Sequence, residues 1–144
     1  MLKKIISVIG LTVMLALMTG VVLAAPPTPA TTPETTFKLV SELPSKMNVG
    51  ESYTVVVRVT SDQQFLFAQA LPAMQFPGRG VVGNAGDHEG RGTTATLEVT
   101  FTAKESTSAF PNSPGNSPVS VTVGVRYQGG YVAVQRYDFV VTVP

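Results

Sequence analysis

The sequence predicts an all-β protein: a two-sheet antiparallel sandwich of about seven strands behind an export signal. Three observations carry this expectation. Residues 52–60, 93–103 and 119–127 alternate apolar and polar side chains with a period of two, the mark of strands with one buried and one wet face. Turn-forming residues recur between these runs, at Asn48-Val49-Gly50-Glu51, in the glycine-rich stretch 77–92 and at Gly129-Gly130. Beyond the leader, no stretch carries apolar residues at helical spacing over several turns, and no internal repeat is visible.

The leader comes first. Lys3 and Lys4 precede an apolar run from Ile5 to Leu23, and Val22 and Ala24 occupy small-residue positions suited to signal-peptidase cleavage. Residues 1–24 therefore read as a signal peptide cut after Ala24. The alternative is a retained anchor, since an apolar run of roughly 20 residues is just long enough to span a bilayer. Either form leaves the remainder outside the cytoplasm, secreted or held in the cell envelope. Without Lys3 and Lys4 the chain has eight basic and nine acidic side chains, a net charge of −1. That balance offers nucleic acid no electrostatic purchase. The chain has no cysteine, which excludes disulfides, a lipidated cysteine, thiolate metal ligation and a cysteine nucleophile together. An apolar core alone must hold the fold.

Residues 25–36, APPTPATTPETT, form a Pro/Thr-rich linker, because proline lacks the backbone donor that a sheet interior needs. The folded domain is expected at 37–144. It starts with a short strand at Phe37–Val40, followed by a bend at Leu43-Pro44 and the turn at 48–51. Ser52–Thr60 is the second strand, ended by Ser61-Asp62-Gln63-Gln64. Phe65–Leu71 is apolar on both faces, and Pro72 separates it from a poorer edge segment at Ala73–Phe76. Residues 77–92 hold six glycines in sixteen positions and read as a mobile loop, with Val81-Val82 as a minor edge pairing. Thr93–Ala103 points Ala95, Leu97, Val99, Phe101 and Ala103 inward. Lys104–Pro118 is a long connection tucked against the core by Phe110, its one large apolar residue.

The C-terminal hairpin, 119–143, supplies a large part of the core. Val119, Val121, Val123, Val125 and Tyr127 share one face of its first arm. A two-residue turn at Gly129-Gly130 would set Val125 opposite Val134 and Val123 opposite Arg136. Burying that guanidinium unpaired is costly, so a β-bulge at Gln135-Arg136 is expected. The alternative is a different turn register in which Tyr131 and Ala133 face inward.

The run Pro44…Val49-Gly50-Glu51…Tyr53-Thr54-Val55-Val56-Val57 resembles the opening of bacterial immunoglobulin-like domains, where a Gly-Glu turn leads into the second strand. The ending Val121-Thr122-Val123…Tyr127…Gly129-Gly130…Phe139-Val140-Val141-Thr142-Val143 is similar to their last two strands. The cell-adhesion-related type of bacterial surface proteins is the nearest in pattern. The resemblance covers Thr36 to Pro144 and lacks the tryptophan and cysteine pair of antibody-type domains. It implies an immunoglobulin-like sandwich that serves as a structural or adhesive module, with no catalytic residues to carry over.

Several constellations suggest chemistry and fail on context. Gly78-Arg79-Gly80-Val81-Val82-Gly83 matches the dinucleotide-binding glycine pattern, but a proline precedes it and no helix-forming run follows. Asp87-His88-Glu89 is the one dense group of potential ligands. Calcium could use its carboxylates with loop carbonyls and Asp62, whereas zinc would want more nitrogen or sulfur. A solvated charge group is the simpler reading. His88 is the lone histidine, and no nucleophile motif surrounds any serine. No catalytic residue, cofactor or metal site is expected.

Phe65, Phe67, Leu71, Met74 and Phe76 are more apolar residues than one buried strand face requires. They either lie beneath the glycine-rich stretch as an enlarged core or form an exposed partner-binding patch. The functional expectation is an exported, non-enzymatic, immunoglobulin-like module of the cell envelope or extracellular space. It would act through protein contacts, with a partner or with itself, and touch membrane only through an uncleaved leader. The alternative is a carbohydrate- or calcium-binding module that uses 77–92.

Overall fold

The structure, a computed structural model, describes residues 31–108, 110 and 115–144. The expected signal peptide and the first six linker residues lie outside the described residues. From Thr32 onward the chain forms one compact unit. It is all-β, a seven-stranded antiparallel sheet: β1 (Thr35–Leu39), β2 (Ser52–Met74), β3 (Val81–Gly83), β4 (Asp87–Glu89), β5 (Gly92–Ala103), β6 (Ser117–Tyr127) and β7 (Val132–Val141). The main path runs β3-β5-β2-β6-β7, and β1 and β4 also pair with β2.

The fold is organised by β2. Its first part, Ser52–Thr60, pairs with β5 from Ser52↔Thr102 to Thr60↔Thr94, and with β1 on its other edge from Thr36↔Thr60 to Leu39↔Val57. Its second part changes neighbours. It pairs with β6 from Phe65↔Tyr127 to Met74↔Val119, and with β4 at Ala68–Ala70. Val55, Val57 and Val59 from the first part share one core cluster with Phe65, Ala68 and Ala70 from the second. The Phe101 and Phe139 rings meet edge-on at 5.3 Å, although β5 and β7 are not neighbours in the sheet. Both ends of the sheet path therefore feed a single core.

Ser61–Gln64 does not end the second strand as expected. These polar residues continue it, and Ser61 and Asp62 find partners in an extended crossing. Glu34 N donates to Asp62 Oδ1 at 2.8 Å, and the Tyr127 hydroxyl donates to Ser61 Oγ at 2.7 Å while Thr35 Oγ1 lies 2.6 Å from it. The strand also passes through Pro72. Gln75 N donates to Pro118 O at 3.2 Å, and the alternation of an antiparallel ladder then turns the position of Pro72's missing N–H away from β6.

The turn at 48–51 forms as read. Glu51 N donates to Asn48 O at 2.9 Å, and Gly50 takes the positive φ of 87° that a type II turn requires. β1 begins at Thr35, two positions before the expected start and inside the span read as linker. β5 buries Ala95, Leu97, Val99, Phe101 and Ala103, and β6 buries Val119, Val121, Val123, Val125 and Tyr127, all on the expected faces. Phe110 is buried as anticipated, with its ring 4.8 Å from that of Phe76. Beside it, Thr107 Oγ1 donates to Val143 O at 3.1 Å and accepts from Val143 N at 3.0 Å, which ties the long connection to β7's continuation.

The expected bulge at Gln135-Arg136 is absent. The β6–β7 register runs unbroken from Arg126↔Val132 to Ser117↔Val141. Tyr127 N donates to Tyr131 O, so three residues, Gln128-Gly129-Gly130, close the hairpin rather than two. Gly129 and Gly130 have φ of 89° and 90°, a conformation costly for side-chain-bearing residues. The extra loop residue shifts the register by one, so Ala133, Tyr137 and Phe139 turn toward the core and Arg136 turns outward without a bulge. The alternative register is the one adopted for Ala133, while Tyr131 stays exposed.

Residues 77–92 also differ from a simple mobile loop. Val81-Val82 pairs with β5 as read, and Asp87–Glu89 forms a further strand on β2. Two glycines there permit close passage: a Cβ at Gly83 would stand 2.3 Å from Pro72 Cβ, and one at Gly86 would stand 2.4 Å from Ala70 O.

Candidate functional site

The second part of β2 has its own irregularity, and it decides which residues reach solvent. Phe65 pairs with Tyr127 and Phe67 with Arg126, so Leu66 is an extra residue on β2 and forms the bulge that sequence reasoning placed in β7. A bulge reverses the face on which alternate residues appear. Phe65 is fully buried, and the inward set then continues through Ala68 and Ala70. Phe67, Gln69, Leu71 and Ala73 point the other way.

Cross-strand pairing extends this outward set across the sheet. Phe67, Arg126 and Val132 form one row; His88, Gln69, Gly124 and Val134 form the next; Leu71, Thr122 and Arg136 form a third. The Phe67 ring lies 5.6 Å from the His88 imidazole. Gly124 leaves open space where a side chain would stand. Leu71, Val132, Val134 and Val140 are 47%, 50%, 60% and 48% exposed, a concentration of large aliphatic surface on one sheet face. A groove of about 440 Å³ borders it, lined by Met74, Pro118, Ser120, Arg136, Asp138 and Val140 among others. The charges on this face are few, and Arg136 Nε pairs with Asp138 Oδ1 at 2.7 Å.

The five residues singled out in the sequence therefore divide. Phe67 and Leu71 lie on this outer face. Phe65 is core, Met74 packs against the core with its sulfur 3.3 Å from Gly83 N, and Phe76 meets Phe110 edge-on. Sequence reasoning missed Val132, Val134 and Val140 because it assigned the first two to the core. Valines on both faces of β7 were the available signal.

At Asp87, Oδ1 accepts from His88 N at 2.9 Å and Oδ2 accepts from Glu98 N at 2.8 Å. Both oxygens serve backbone donors, joining β4 to β5. Among the described residues, no cluster of three or more His, Asp or Glu could hold a metal ion. The sequence matches no protein-family model and no curated protein.

Proposed function

We propose that this protein is an exported, non-enzymatic, immunoglobulin-like two-sheet sandwich that binds a protein partner through the outer face of β2, β6 and β7. The observation that carries the reading is the exposed aliphatic surface of Leu71, Val132 and Val134 around the bare Gly124, with Val140 further along β7 beyond the Arg136–Asp138 pair. Apolar surface gathered on one face favours burial against a partner, and the sparse charge keeps the desolvation cost low. Further support for the sandwich is the change of neighbours along β2, with side chains from both its parts in one core cluster. The parallel bridge Lys46↔Thr142 beside β7 suits an immunoglobulin-like arrangement. The charged leader and its apolar run support export.

A photo-crosslinking amino acid at Leu71 tests the reading in producing cells, with Thr96, exposed on β5, as the control position. A discrete protein adduct is expected from position 71 and none from 96. Adducts at neither position, or equally at both, overturn the partner-binding face. Recovery of the protein from the cytoplasm overturns export. A melting temperature that rises with calcium or a glycan would instead favour a ligand module built on 77–92.

A further inference from the structure

We propose that the protein pairs with a second copy of itself along the free edge of β7, strand to strand and antiparallel, about a two-fold axis at Tyr137. The hydrogen-bond pattern defines that edge. Tyr127 N donates to Tyr131 O, so odd-numbered residues of β7 face β6, and the alternation of an antiparallel ladder turns the even-numbered ones away. Thr142 fits this parity, donating to Ser45 O and accepting from Met47 N, both at 3.0 Å. From Val132 to Val140 the outward N–H and C=O groups have no backbone partner among the described residues; the Arg136 C=O accepts from the exposed Gln135 side chain at 3.1 Å, a bond that the second copy would displace.

Long open edges are usually blunted by charged side chains, lysine above all, or by proline, a bulge or shortness; the two charges of β7, Arg136 and Asp138, are of opposite sign and so need not repel a second copy. In the same sheet β1 has five residues and includes Lys38, while β3 and β4 have three each. β7 has ten residues, an unbroken register and no lysine or proline. Its outward side chains are self-complementary in one register. An axis at Tyr137 sets Arg136 against Asp138 of the second copy, and Val134 against its Val140, each twice by symmetry. All of these are even-numbered residues, as a hydrogen-bonded ladder between two free edges requires. Moving the axis to residue 136 would oppose two arginines, and moving it to 138 would oppose two aspartates. Both side chains are well exposed, and within one copy they already contact each other at 2.7 Å, so the dimer assembles a four-membered alternating charge cluster. The Ser45–Met47 segment occupies the edge at Thr142, which ends the ladder at the Val134–Val140 pairs and limits slippage.

The dimer does not depend on the outer face being a partner site, and Phe67→Ser, which bears on that face, should leave it intact. Sedimentation velocity of the exported protein, loaded up to roughly 1 mM to reveal even micromolar affinity, is expected to show a dimer. Arg136→Asp alone, or Asp138→Arg alone, opposes like charges at both crossings and should weaken it by about tenfold. The double change Arg136→Asp with Asp138→Arg should restore it. Val134→Pro removes an outward N–H without touching the β6 ladder, so it should give a folded monomer by circular dichroism. A wild-type monomer across the whole range overturns the proposal, as does a dimer insensitive to the single changes. A double variant that stays monomeric overturns the register.

Discussion

The two arms of the C-terminal hairpin are both rich in valine, yet they occupy different environments. β6 lies between β2 and β7, and its alternating side chains Val119, Val121, Val123, Val125 and Tyr127 are all buried. β7 is the last strand of the path, and of its valines only Val141 is buried; Val132, Val134 and Val140 stand in solvent. Composition therefore does not separate a core strand from an edge strand with a solvated face here. Position in the sheet does, together with the phase set by the turn.

The largest test of this contrast is Val123→Asp in β6. An unpaired carboxylate at a fully buried site should cost about 4 kcal/mol or more, which would leave the domain unfolded or nearly so in urea titrations. Deleting Tyr131 should come next. With the three-residue loop Gln128-Gly129-Gly130 kept, Tyr127 would face Val132, exchanging the faces of β7 and driving Arg136 toward Val123, so a loss of about 2–4 kcal/mol is expected. A chemical-denaturation midpoint close to wild type would mean that β7 tolerates either phase. Val132→Asp is the mirror of the first change. On an exposed site opposite Arg126 it should alter stability by less than about 0.5 kcal/mol, and a larger loss would show that β7 is core after all.

The smallest effect concerns pH. Burial holds the Tyr137 phenol above its ordinary 10.0. A pKa raised in the folded state gives stability that is fully present below pH about 10 and is lost as pH climbs through the folded-state value. Tyr137→Phe should therefore flatten the alkaline decline of the melting temperature and change little at neutral pH.

The strands whose faces have one assignment were legible in the sequence. β5 alternates alanine, leucine, valine and phenylalanine with threonine and glutamate, and every inward residue was named correctly. β7 was harder because Val132 and Val134 mimic a core face, and only the three-residue closure at Gln128-Gly129-Gly130 removes the ambiguity. By sequence alone the glycines of 77–92 read as a sign of mobility. Gly83 and Gly86 are instead where the chain passes too close to Pro72 and Ala70 for any side chain. For the candidate site, the surplus of apolar residues from Phe65 to Phe76 was visible, but its division depended on one extra residue at Leu66. No periodicity argument locates such a bulge when both faces are apolar.

The length of β2 bears on how the protein is made. Its ladder partners Phe101 and Tyr127 lie far downstream of Tyr53 and Phe65 in the chain. A chain delivered N-terminus first presents all of β2, with only the short β1 to cover part of one edge, before β5 and β6 have emerged. Sheets dominated by such distant pairings fold in milliseconds to seconds, and their incomplete forms are prone to aggregate. The chain thus passes through an interval in which its longest strand is its most adhesive segment, so yield should respond more to holdase chaperones than to the stability of the finished fold.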